Sequence, residues 1–322
     1  MPSGVENTFL VEVIGEFMTG MPGNGFIALV NCIDWAKRPK FSSADCILTG
    51  LAISRVSQLW KMLFDLFVLV LWPHLYAIDK LAKKFWTLSN HLATWFATCL
   101  SVFCLFKVAS SSYPCFTWLR WQIHRVVLVL LLGSLFSLFS NFELVDAFNG
   151  VWTNVYKIYE RNSTWPSDVN KTLYLDMLIV FTFICLIIPF LLSLTSLLCL
   201  FLSLMRHTRN LQLSPSSKDF SVEAHKRAMK MVMSFLLLFM VHVSSILLTG
   251  WVFLKLQKHQ ANFVVMLTLT VFPSGHSFIL ILANSKLRQN ALGLLWYLNY
   301  HLKRVKPLAS LTFPEFSIFQ EN

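Results

Sequence analysis

Charge is what this chain has least of. Only 13% of its 322 residues are Asp, Glu, Lys or Arg, and the acids are scarcer than the bases, 16 against 27. Soluble domains devote about a quarter of their residues to charge, so the shortage excludes an ordinary soluble globule. Chemistry-bearing clusters are missing as well. The seven cysteines, at positions 32, 46, 99, 104, 115, 185 and 199, fall inside apolar runs or in segments assigned below to the cytoplasmic side, which supports no disulfide framework. There is no CxxC, no HExxH and no Ser/His/acid set that converges by pattern, and the nine histidines are mostly single and scattered. His207 and His225 flank a basic connection and read as solvated. No metal, cofactor or enzymatic activity is therefore expected. The net charge of +11 does not make a nucleic-acid protein either, because the basic residues are dispersed through connections and form no contiguous patch on a soluble fold.

What is present is hydrocarbon: 56% apolar residues, with 29 Phe and 11 Trp. Apolar runs of about 20 residues match a bilayer core about 30 Å thick. They occur at 10–32, 44–72, 86–106, 126–148, 173–204, 229–254 and 262–283. Backbone groups in lipid must be satisfied within their own segment, so each run is predicted to be a helix, with Pro22, Pro189 and Pro273 as kinks. The expected fold is an all-α membrane protein, a seven-transmembrane helix bundle over residues 1–285. The first run is too long, and lacks the small-residue cleavage site, for a signal peptide. The seven spans show no pair of related halves of the transporter kind.

Orientation follows from Lys and Arg. With the amino terminus outside, the inner connections hold roughly twice as many basic residues as the outer ones, which favours that topology. Two glycosylation sequons, Asn162-Ser163-Thr164 and Asn170-Lys171-Thr172, fall in the fourth-to-fifth connection, outside on the same assignment. After the last span, residues 286–306 mix leucines and Trp296 with basic residues, the pattern of an amphipathic helix on the inner leaflet. Residues 307–322 read as a short cytoplasmic tail.

The chain lacks the Asp-Arg-Tyr, Asn-Pro-x-x-Tyr and outer disulfide of rhodopsin-like receptors. It resembles instead the type 2, bitter-taste receptor family along nearly its whole length. The resemblance rests on Gly23-Asn24-Gly25-Phe26-Ile27 with Leu29-Val30-Asn31-Cys32-Ile33-Asp34-Trp35 in the first span, and on Leu48-Thr49-Gly50-Leu51-Ala52-Ile53-Ser54-Arg55 in the second. Asn90-His91, Trp95, Ala97-Thr98 and Leu100-Ser101-Val102-Phe103 follow in the third. The fifth contributes Pro189-Phe190, Leu200 to Leu204 and His207-Thr208, and the seventh Phe272 to Leu280 with Asn284 to Leu287. The resemblance implies a plasma-membrane receptor that binds small amphipathic bitter compounds in the outer half of the bundle and activates a gustducin-like, inhibitory-class heterotrimeric G protein.

Individual residues then acquire expected roles. Arg55, costly at membrane depth, is expected to stitch the bundle through Asn24 and Ser277, as the resemblance implies. Lys61 and Asp65, four apart on one helix face, either pair with each other or leave Asp65 lining the cavity. Trp86 and Asn90, one turn apart on the third span, offer a stacking surface and an amide for ligands of many shapes, and in the family these positions line the cavity. Three departures from the family pattern bear on ligand choice: His242 where many members carry Tyr, Met266 where some carry Glu, and Leu66 in place of an aromatic. His242 either senses pH or packs as a neutral imidazole. Toward the inner side, Phe103, Lys107, Leu204, His207 and Arg227 lie at span ends that would meet a G protein, although membrane-surface anchoring explains some of the charges equally well. Cys104 replaces the Tyr of the family's Phe-Tyr-x-x-Lys pattern there.

Other functions predict other features. A channel or transporter calls for a polar stripe or paired acids at the midplane of several helices, whereas the charges at depth, Arg55, Lys61 and Asp65, share one helix. A membrane enzyme calls for an intramembrane nucleophile or metal set. Another seven-span chemosensory receptor, such as a pheromone receptor, is the remaining alternative.

Overall fold

A helix closes every interior backbone hydrogen bond within itself, and the apolar stretches of this chain adopt that solution. The computed structural model describes residues 4–37, 42–71, 80–108, 114–162, 187–212, 233–235, 237–242, 244–245 and 274–309. Within residues 1–279 the long helices are α1 (Gly4–Lys37), α2 (Ser43–Leu71), α3 (Lys80–Val108), α5 (Ile123–Asn162) and α6 (Ile188–Gln212), with a short α4 (Pro114–Trp121) between α3 and α5. Two shorter apolar helices follow, α7 (Met233–His242) and α8 (Ser274–Ala283). Among the described residues every regular element is helical, and three stretches are long and apolar enough to cross a bilayer: Lys84–Lys107, Ile123–Ala147 and Ile188–Arg206.

Most helices outrun the apolar segments that signal them. The fourth run ends at 148 in the sequence pattern, yet α5 spans 40 residues to Asn162. At 1.5 Å per residue that is about 60 Å, roughly twice the hydrocarbon thickness. Hydropathy marks where a helix meets lipid, whereas backbone hydrogen bonding carries it on through polar residues such as Asn154 and Lys157. The third helix likewise begins at Lys80, not 86. Pro22 lies inside α1, which runs unbroken from Gly4 to Lys37. The connection before the fourth span contains α4, which the hydropathy pattern does not announce; Pro114 opens it, the position where a missing N–H costs nothing.

α3 is the central element, packing against α2, α5 and α6, while α1 packs on α2. Small residues set the closest approaches. A Cβ placed on Gly20 would lie 2.6 Å from Ser274 Oγ and 2.8 Å from Leu59 Cδ1, and one on Gly23 would lie 2.5 Å from Ser277 Oγ. Gly20 and Gly23 thus face Ser274 and Ser277 at matched i, i+3 spacing, a small-residue seam that lets the α1 and α8 backbones approach. Gly50 in α2 similarly receives the ring of Phe96 from α3. Between α3 and α6, Ser193 Oγ donates to Thr98 Oγ1 at 2.9 Å, and Thr98 Oγ1 lies 3.3 Å from the Pro189 carbonyl.

The outward surfaces are apolar. α5 exposes Leu128, Val129, Leu132, Leu135, Phe136 and Phe139, residues that recur at helical spacing along one side. In water this stripe would be a liability; in lipid it is the ordinary contact surface.

Residues 280–322 form a second unit, whose helix α9 spans Ser285–Ala309. Asn284 caps it: its Oδ1 accepts from the backbone N–H groups of Lys286 at 3.0 Å and Leu287 at 3.3 Å, satisfying two donors that a helix start leaves open. Leu292, Leu294, Leu295, Trp296, Leu298 and Tyr300 are exposed on it.

Candidate functional site

Antiparallel packing of α1 on α2 fixes a register. Asn31 Nδ2 donates to Thr49 Oγ1 at 3.1 Å near one end, and Gly20 meets Leu59 near the middle. Four residues on from Gly20 in α1, and four back from Leu59 in α2, Asn24 and Arg55 stand level with each other. Both are fully buried, as are His276 and Ser277 of α8. Asn24 Nδ2 donates to the Gly20 carbonyl at 2.9 Å, and Ser277 Oγ to the Ser274 carbonyl at 2.7 Å. His276 lies within electrostatic range of the Arg55 guanidinium, and Phe235 of α7 packs on its ring with centroids 4.2 Å apart. A polar centre on three helices, sealed by an aromatic from a fourth, is costly to desolvate and correspondingly specific in how it orders the bundle.

Toward the Trp86 end of α3 the polar stripe of α2 continues. Arg55, Gln58 and Lys61 follow one another at three-residue spacing and are all buried, at 0%, 4% and 8% exposure. Gln58 Nε2 donates to Asn90 Oδ1 of α3 at 3.3 Å. Asn90 and Trp86 are half-buried one turn apart, so they share a face of α3 on which Asn90 meets α2. The same end is tied to α5 by an ion pair, Lys84 Nζ to Asp146 Oδ2 at 2.7 Å. His91, adjacent to Asn90, turns to α5 instead and hydrogen-bonds the backbone of Ser134.

The remaining sequence-derived candidates distribute as follows. Asp65 and Leu66 are in the last two turns of α2, with side chains outside the described residues. His242 is buried in α7. Met266 and Arg227 lie outside the described residues, as does Asn170, while Asn162 is the last residue of α5. At the opposite end of α3, Phe103 is half-buried and Lys107 exposed in the last turn, and Leu204 is buried in α6, where His207 follows it on the backbone. The structure therefore brings Asn24 level with Arg55, sets Gly23 against Ser277, and joins Asn90 to a residue that sequence reasoning passed over, Gln58. His276, inside the 272–280 motif, emerges as a neighbour of Arg55. The available signal for Gln58 was its place in the Arg55-Gln58-Lys61 repeat.

This arrangement offers a stacking surface and an amide beside a buried amide, above a buried cationic centre, and no set of groups suited to bond making. Comparison with known proteins agrees with that character. The family model described as taste receptor protein matches residues 1–299. The chain is 49% identical over 314 residues to the chimpanzee (Pan troglodytes) taste receptor type 2 member 42, covering 96% of this chain and 99% of that one. It is 48% identical to the human (Homo sapiens) protein of the same name at the same coverage, and 44% identical over 303 residues to the rhesus macaque (Macaca mulatta) taste receptor type 2 member 7, covering 92% of this chain and 95% of that one. The chain belongs to the taste receptor protein family (TAS2R), the bitter-taste G-protein-coupled receptors, which transduce a signal across the membrane and are not enzymes.

Proposed function

We propose that this receptor is a seven-span bundle over residues 1–285 with its amino terminus outside the plasma membrane, that a small amphipathic bitter agonist binds in the outer half, and that the inner ends engage a gustducin-like, inhibitory-class G protein. Trp86 stacks on the agonist and Asn90 hydrogen-bonds it, with Asp65, Leu66, His242 and Met266 shaping the rest of the cavity. The observation that supports this most is the pairing of half-buried Trp86 and Asn90 on one face of α3, with Asn90 reaching Gln58 and the buried stripe that leads to Arg55. Asn24, Arg55 and Ser277 hold the bundle's polar centre. An agonist shifts the population only by binding one arrangement of the helices better than the other, and a residue that joins two helices, as Asn90 does, is a place where that difference arises.

At the inner end Phe103, Lys107, Leu204, His207 and Arg227 form the G-protein surface. Residues 286–306 lie on the inner leaflet and 307–322 form the tail. Asn162 and Asn170 carry glycans on the outside, where the extension of α5 beyond its apolar run carries Asn162 clear of the hydrocarbon.

The test is calcium release in cells that express the chain with a promiscuous gustducin-tailed G protein, challenged with a broad bitter panel. Trp86→Ala and Asn90→Ala, matched for surface expression, are expected to lose the response that the parent chain gives. A response unchanged in both variants would remove the ligand from this end of α3.

A further inference from the structure

Gln58 is 4% exposed, yet only one end of its amide is used. Nε2 donates to Asn90 Oδ1, whereas Oε1, itself buried, meets no donor among the described residues. Buried carbonyl oxygens are nearly always satisfied, because leaving one without a hydrogen forfeits its hydration for nothing. The bond that Gln58 does make is 3.3 Å long, beyond the usual N–H···O range of about 2.7–3.2 Å, so it holds the amide loosely. Its partner, Asn90, is only half-buried. A loosely held amide with a spare acceptor, directly behind the residue assigned to the ligand, is built to accept a hydrogen that arrives from outside the fold.

The flanking charges narrow what can bring that hydrogen. Arg55 and Lys61 stand three residues to either side of Gln58 on the same buried stripe, about 4.5 Å away along the helix axis. A guanidinium on one side and an ammonium on the other disfavour a third cation between them. The donor that suits this position is neutral: a phenol, alcohol or amide N–H.

Resting on the reading of Trp86 and Asn90 as ligand contacts, we infer that Gln58 is a specificity-determining residue of the ligand site, whose Oε1 accepts a hydrogen bond from neutral agonists that carry an O–H or N–H donor. Such a ligand stacks on Trp86, meets the Asn90 amide and completes Gln58. Its methylated analogue leaves the acceptor buried and unmet. Sites built to hydrogen-bond a hydroxyl discriminate strongly against analogues that lack it.

The test uses matched pairs, 7-hydroxycoumarin with 7-methoxycoumarin and a set of phenols, alcohols and secondary amides with their O- or N-methyl counterparts, in the same calcium assay at matched surface expression. The parent chain is expected to respond to the donor member of a pair at least about tenfold more sensitively than to the methylated member. Gln58→Leu, which removes the unmet acceptor without burying a new polar group, is expected to abolish that preference, and Gln58→Glu, which keeps an acceptor, to retain part of it. Responses without donor preference, or a preference that survives in Gln58→Leu, would overturn the assignment of Gln58 while leaving Trp86 and Asn90 as contacts. Silence toward the whole panel at confirmed surface delivery would overturn both.

Discussion

Two glycines of α1, separated by one residue, are expected to respond to alanine in opposite directions. A Cβ on Gly23 lies 2.5 Å from Ser277 Oγ and 3.3 Å from Ser277 Cβ, whereas one on Gly25 finds nothing within 4 Å. In both cases Ala is the better helix former by about 0.8–1 kcal/mol, so that contribution cancels between the two variants. What remains is the cost of forcing a methyl group into the α1–α8 seam, about 1–3 kcal/mol for an overpacked interior. Gly25→Ala is accordingly expected to match or exceed the parent chain in stability, and Gly23→Ala to fall below Gly25→Ala by about 1–3 kcal/mol. Thermal unfolding of detergent-purified receptor, followed by intrinsic Trp fluorescence, measures the difference. Ser277→Ala, which removes the obstructing oxygen, should restore most of the loss in the Gly23→Ala background. Equal stability of the two glycine variants would refute the close approach of α1 and α8.

Three further outcomes follow from other contacts. Asn284→Ala removes the cap of α9 and should weaken its first turn by about 0.5–2 kcal/mol, seen as several-fold faster hydrogen exchange at the amides of 285–288 in the full-length receptor, with exchange at the centre of α9 unchanged. The Lys84–Asp146 pair is partly exposed on both sides, so Lys84→Ala should cost less than about 1 kcal/mol in the same melting assay; a larger loss would mean that it does more than join the ends of α3 and α5. Ser193→Ala breaks the link to Thr98 and should destabilise by about 1 kcal/mol, and combining it with Thr98→Ala should cost less than the sum of the two single losses, because the pair shares that bond while Thr98 alone also reaches the Pro189 carbonyl.

The sequence carried the helical character of this protein plainly, because bilayer-length apolar runs leave the backbone few alternatives. It carried the ends of the helices poorly: α5 continues through Asn149, Asn154 and Lys157 to Asn162, since a helix needs lipid-compatible residues only where lipid touches it. The polar centre was partly legible. Arg55 stands out in an apolar run, and a charge at that depth has to be buried in the bundle, as it is. Neither the seam of Gly20 and Gly23 against Ser274 and Ser277 nor the nearness of His276 to Arg55 is written in local pattern, because each depends on the register between α1, α2 and α8. Gln58 is hard to read from sequence for a related reason. An uncharged amide in a helix attracts no notice until its neighbours at three-residue spacing prove to be buried with it.

In the proposed mechanism an agonist held at the Trp86 end of α3 drives nucleotide exchange at the other end. That mechanism is tested most directly by agonist-stimulated GTP analogue binding to a purified inhibitory-class heterotrimer, in membranes that contain this chain or its Asn90→Ala variant at equal density. Bitter agonists are expected to stimulate binding in the parent membranes and to give little or no stimulation in the variant. Stimulation of equal size and sensitivity in both would contradict it.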